Sequence, residues 1–116
     1  MITVRFYKKD AHYYGLEVSG HAYFDEPGKD IVCSAVSALA TTGYNTLCHY
    51  IGAENLSLAV EEAEGYLKFE VKNPASHDQQ VTDIVFKTIA IGIDSIAQTY
   101  TKHVTLKEGG GRHAKN

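Results

Sequence analysis

Residues 19–39 read SGHAYFDEPGKDIVCSAVSAL and join a strand end to a helix start across a short loop. The strand begins near His12 and runs to His21, with Tyr14, Leu16 and Val18 on one face and Glu17 and Ser19 on the other. After the loop, Asp30 is a good N-cap, because its carboxylate can accept from the unpaired N–H groups of a first turn. The helix it opens runs to about Ile51. Val32, Val36, Leu39, Ala40, Gly43, Leu47, Tyr50 and Ile51 recur at i, i+3, i+4 and i+7 and make its core stripe. Gly52 is a natural stop. Gly43 inside the stripe costs about 1 kcal/mol against alanine, which implies close packing there.

Two hairpins flank this unit. Ile2, Val4 and Phe6 alternate with Thr3, Arg5 and Tyr7, and the polar Lys8, Lys9 and Asp10 end that strand. Downstream, Leu56, Leu58 and Val60 alternate with polar or small residues, as do Leu67, Phe69 and Val71, around a tight connection at Ala63, Glu64 and Gly65. A last helix is expected after Asn73 and Pro74, with Ser76 and Gln79 in capping-box spacing. Val81, Ile84, Val85, Thr88, Ile89, Gly92, Ile96 and Tyr100 form one stripe on it. Phe86, Ala90, Ile93 and Ala97 form a second, which is more apolar surface than one sheet face needs; it points to a second helix or a second subunit, and a homodimer is favoured. The pattern predicts an α+β, two-layer ββαββα fold, an antiparallel four-stranded sheet with two helices. One domain spans residues 1–106, and the glycine-rich residues 107–116 are expected to be a disordered tail.

The chain has 116 residues, 44% hydrophobic and 22% charged, as in soluble globular domains. A net charge of −3 supplies no basic field for nucleic acid, so no direct nucleic-acid binding is expected. Apolar stretches are expected to fall short of the ~20 residues of a membrane span, and the first residues alternate like a strand rather than a secretory signal. Cys33 and Cys48 on one helix stand roughly 22 Å apart, too far for a disulfide, and the reading is cytoplasmic. The histidines show no metal spacing and no phosphate loop occurs, so no metal or cofactor is expected.

The chemistry concentrates at Cys33, three residues after Asp30 and one position off the core stripe. Unpaired N–H groups at a helix start favour a thiolate there, whereas the bland alternative is a small buried hydrophobe. His21 follows Gly20, which permits a bulge or close backbone approach. By strict alternation His21 shares a face with Glu17 and Ser19, so meeting Cys33 requires Gly20 to re-aim it. Ser37 lies one turn beyond Cys33, and Asp30 could both cap the helix and orient His21.

The GHA at 20–22 and DIVCSAVSAL at 30–39 resemble the ribosomal-processing cysteine proteases, the Prp family, over about residues 1–105. The resemblance implies a small cytoplasmic, homodimeric endopeptidase with no cofactor. Its substrate would be the N-terminal extension of large-subunit ribosomal protein number twenty-seven, removed through a Cys–His dyad and an acyl-enzyme. It implies Cys33 as nucleophile and His21 as general base, with Asp30, Ser37 and Gly20 in support. Tyr23, Phe24, Asp25, Glu26, Pro27, Gly28 and Lys29 would form the segment over the substrate cleft. Ser34 departs from the alanine expected after the nucleophile. Two other classes remain open: a ribosome-associated binding module with an inert Cys33, and another thiol hydrolase or transferase.

Overall fold

A computed structural model describes residues 1–20, 29–61 and 65–109. The first hairpin pairs β1 (Ile2–Lys9) with β2 (His12–Ser19). Its turn residues Asp10 and Ala11 both have positive φ, 54° and 69°, as a two-residue turn matched to strand twist requires. One irregularity shifts the register: Tyr7 faces Gly15 but Lys8 faces Tyr13. The extra residue is Tyr14, so the bulge turns Tyr13 into the core and Tyr14 onto the outer face beside Tyr7. Strict alternation predicted the reverse.

Helix α1 (Lys29–Ile51) follows, then the second hairpin, β3 (Leu56–Glu61) and β4 (Tyr66–Val71), and then α2 (Gln79–Thr99). The predicted connection at Ala63 and Glu64 lies outside the described residues. A fifth strand, β5 (Val104–Gly109), corrects the four-stranded expectation. The sheet order is β3-β4-β2-β1-β5, and β5 runs parallel to β1, so the sheet is mixed. Two apolar residues, Val104 and Leu106, are too few to announce a strand before a glycine run. What recruits the segment is the open edge of β1, where Ile2 aligns with Val104, Val4 with Leu106, and Ile2 N–H donates to His103 O at 2.8 Å. Lys107 to Gly109 therefore belong to the sheet and not to a tail.

The helices cover one sheet face. Ile2, Val4, Phe6, Leu16 and Phe69 meet Val32, Val36, Ala40 and Leu47 of α1 and Phe86, Ile89 and Ile93 of α2 in one core. Burying each large side chain contributes about 1.5–3 kcal/mol. Phe6, Tyr13, Phe86, Phe69 and Tyr44 form a continuous aromatic chain with ring centroids 5.5–5.9 Å apart. The two helices interlock by exchange: the Cβ that Gly43 lacks would collide with Ile89, and one at Gly92 would lie 2.8 Å from Leu39 Cδ1. The close packing expected at Gly43 is thus present. Asp83 of α2 clasps the start of β2, with Oδ2 2.6 Å from His12 Nδ1 and Oδ1 accepting from Tyr13 N–H at 2.8 Å.

Helix ends also differ from expectation. Helix α1 starts at Lys29, so Asp30 lies inside it, and Cys33 is its fifth residue, beyond the first turn. The cap of α2 is Asp78, whose carboxylate accepts from Gln80 N–H and Val81 N–H at 3.0 and 3.3 Å. Ser76 instead closes a 3-10 turn, donating to Asn73 O at 2.8 Å. Tyr50, expected in the α1 stripe, is exposed against His49 at the helix end. Residues Ile31–Ile51 are long and apolar enough to cross a membrane by length and composition, contrary to the sequence expectation. Their stripe faces the sheet, however, while Thr42, Asn45, Thr46 and His49 are polar, the pattern of a core helix.

Candidate active site

Cys33 is half-buried in the first half of α1, on the lining of a cleft. It lies just beside the stripe Val32 and Val36 that anchors the helix, so packing holds its backbone while one side stays open. That open side is a cleft of about 600 Å³, within the range of small-ligand sites. From α1, Cys33, Ser37, Thr41, Tyr44 and Asn45 line it. From the sheet come Ile2, Val18 and Gly20 at one end and Leu58, Val60 and Leu67 toward the β3 edge.

Each wall has a local cause. Helical spacing of four puts Ser37 over Cys33, Thr41 over Ser37 and Asn45 over Thr41. Leu58 and Val60 occupy core-facing positions on β3, in register with Phe69 and Leu67 of β4, yet they remain 46% and 47% exposed. The helix layer ends before the sheet does. Tyr44 stands on Phe69, and the Cys48 sulfur beside its hydroxyl, with burial second, holds its phenol above the ordinary value. Cys48 packs against the core beside Tyr44 rather than lining the cleft.

Gly20 ends β2 with φ at 101°, and a Cβ there would collide with the carbonyl oxygen of Met1. The close backbone approach read from the sequence is real, and it places Gly20 on the same cleft as Cys33 and Ser37. His21 and the segment Tyr23 to Gly28 lie outside the described residues, as do the side chains of Lys29 and Asp30. Sequence reasoning missed Thr41, Tyr44, Asn45, Leu58 and Val60 as cleft residues. The four-residue spacing from Cys33 was a visible signal for two of them; for the strand pair, only the end of the helix layer reveals the exposure. Among the described residues no group of three or more His, Cys, Asp or Glu side chains could hold a metal ion.

The family described as Cysteine protease Prp matches residues 1–105. The chain belongs to the Prp family of cysteine proteases. Its relatives include the Ribosomal processing cysteine protease Prp of Bacillus subtilis, 31% identical over 93 residues, covering 78% of this chain and 80% of that protein. The protein of the same name from Mycoplasma genitalium is 25% identical over 93 residues, covering 80% and 86%. Among solved structures, SMU.848 from Streptococcus mutans superposes with a TM-score of 0.79 at 30% identity, covering 96% of each chain. The essential ribosomal processing protease Prp from S. aureus, solved in complex with a substrate peptide, gives 0.79 at 20% identity, covering 93% and 99%. The latter is a likeness of fold. As a Prp-family member the protein is a cysteine protease.

Proposed function

We propose that Cys33 is the nucleophile of a ribosomal-processing endopeptidase and that His21 is its general base and acid. The observation that carries this is the placement of Cys33, half-buried at the rim of a peptide-sized apolar cleft beside an edge strand. The Cys33 thiolate attacks a peptide carbonyl carbon, and the carbonyl oxygen takes the negative charge of the tetrahedral intermediate. Unpaired N–H groups in the first turn of α1 are candidate main-chain donors for it. As the intermediate collapses the C–N bond breaks, and His21 gives its proton to the leaving amine. Water then attacks the acyl-enzyme carbonyl and releases the carboxylate, regenerating the thiol. Asp30 orients His21, and Ser37 hydrogen-bonds the substrate or a histidine nitrogen. The segment Tyr23 to Lys29 covers the bound peptide.

The substrate is the N-terminal extension of large-subunit ribosomal protein number twenty-seven, as the family resemblance implies; the relatives' names support ribosomal processing in general, and the setting is the cytoplasm. The working form is a homodimer. Its support is α2, where Ile84 and Ile91 are 60% and 59% exposed on a face that neither the sheet nor α1 covers. Incubating Cys33→Ala with the extension peptide tests the assignment. Cleavage should fall by about three orders of magnitude or more with an unchanged melting temperature. Cleavage at the wild-type rate would reject Cys33.

A further inference from the structure

Four residues form one line along α1 where it meets the cleft: Cys33, Ser37, Thr41 and Asn45. At ~1.5 Å rise per residue, Asn45 stands roughly 18 Å along the axis from Cys33. An extended chain at ~3.3 Å per residue covers that distance in about five residues.

The polar groups of this line are uncommitted. Ser37, Thr41 and Asn45 are exposed, and among the described residues their side chains have no hydrogen-bond partner. Elsewhere the helices use such groups internally: the hydroxyls of Thr46, Thr88, Ser95 and Thr99 each donate to the carbonyl four residues back, at 2.7–3.2 Å. Across the cleft, Leu58 and Val60 present half-exposed apolar side chains on β3, the last strand of the sheet. A polar line facing an apolar pair over five extended residues fits a peptide lying lengthwise. Its main-chain amides meet the helix and its apolar side chains meet the strand.

We propose that Asn45 is a specificity-determining residue that sets substrate reach, hydrogen-bonding the main chain about five residues from the bond cut at Cys33. An asparagine amide carries a donor and an acceptor side by side, matched to a peptide N–H and C=O. Ser37 and Thr41 guide the intervening residues, and Leu58 and Val60 take apolar side chains from the same segment. The proposal rests on the peptidase reading of Cys33.

The test uses peptides of the proposed ribosomal-protein extension, trimmed one residue at a time from each end, with wild type and Asn45→Ala. For peptides that reach five residues or more from the cut on one side, Asn45→Ala should raise KM about three- to ten-fold with little change in kcat. Below that length on that side, the two proteins should share one KM. Equal KM at every length, or a loss independent of length at both ends, overturns the proposal. Alanine is a better helix former than asparagine at an exposed position, so the variant should fold, as a melting curve checks. Cys33→Ala runs alongside. Cleavage surviving in it rejects the peptidase reading, whereas Cys33-dependent cleavage indifferent to Asn45 at every length rejects only the reach inference.

Discussion

Gly20 joins backbone conformation to the cleft more directly than any other described residue. Its φ of 101° is a region that side chains rarely adopt, and the Met1 carbonyl fills the space of a Cβ. Gly20→Ala should therefore lower stability by about 1–3 kcal/mol, read as a shifted urea midpoint. An unchanged midpoint would mean that the end of β2 relaxes without cost. That Gly20 permits a close backbone approach beside the candidate site was legible in the sequence. That Met1 is what it meets was not legible, since strand pairing brings those residues together. Cys33 divides in the same way. Its place one step off the apolar stripe followed from counting, but its depth in the helix depended on where α1 begins. With Lys29 helical, the cysteine sits two residues, about half a turn, further from the helix end than Asp30 capping implied.

Within the sheet, the outer face is held by hydrogen bonds across three strands. Tyr7 on β1 and Tyr66 on β4 both donate to Glu17 on β2, at 3.0 and 2.8 Å, and Arg5 lies 3.8 Å from the same carboxylate. Burial, and then the hydrogen bond and charge of Glu17, push the Tyr7 phenol from 10.0 to about 12. Tyr66 moves in the same direction for the same causes. The folded protein thus holds these protons more tightly than the unfolded chain does. The contribution of Tyr7 is complete below pH 10 and is lost as pH rises from 10 towards 12. Urea midpoints measured across that window should fall, and Tyr7→Phe should flatten the fall; an equal slope in the variant would contradict this origin. The part of the sheet that sequence did not reveal is β5. Two alternating apolar residues carry little information alone, and the edge of β1 supplies the rest.

At the scale of the molecule, two helices on one sheet face leave apolar surface exposed among the described residues, including the cleft at Leu58 and Val60 and the outer side of α2 at Ile84 and Ile91. The first is assigned to substrate and the second to a partner copy. Light scattering should accordingly report twice the chain mass, and Ile84→Glu should shift it to that of one chain. A single-chain mass for the unaltered protein would remove the dimer. The amino-acid sequence by itself determined the two hairpins, both helices, the α1 core stripe and the cysteine at its edge. Those features follow from local periodicity, which pairs neighbours along the chain. Only the tertiary structure decided the fifth strand and its parallel pairing, the bulge that exchanges Tyr13 for Tyr14, and the cleft opened where the helix layer stops short of β3. Each of those depends on which distant residues share an edge or a face, and no spacing within one segment records that.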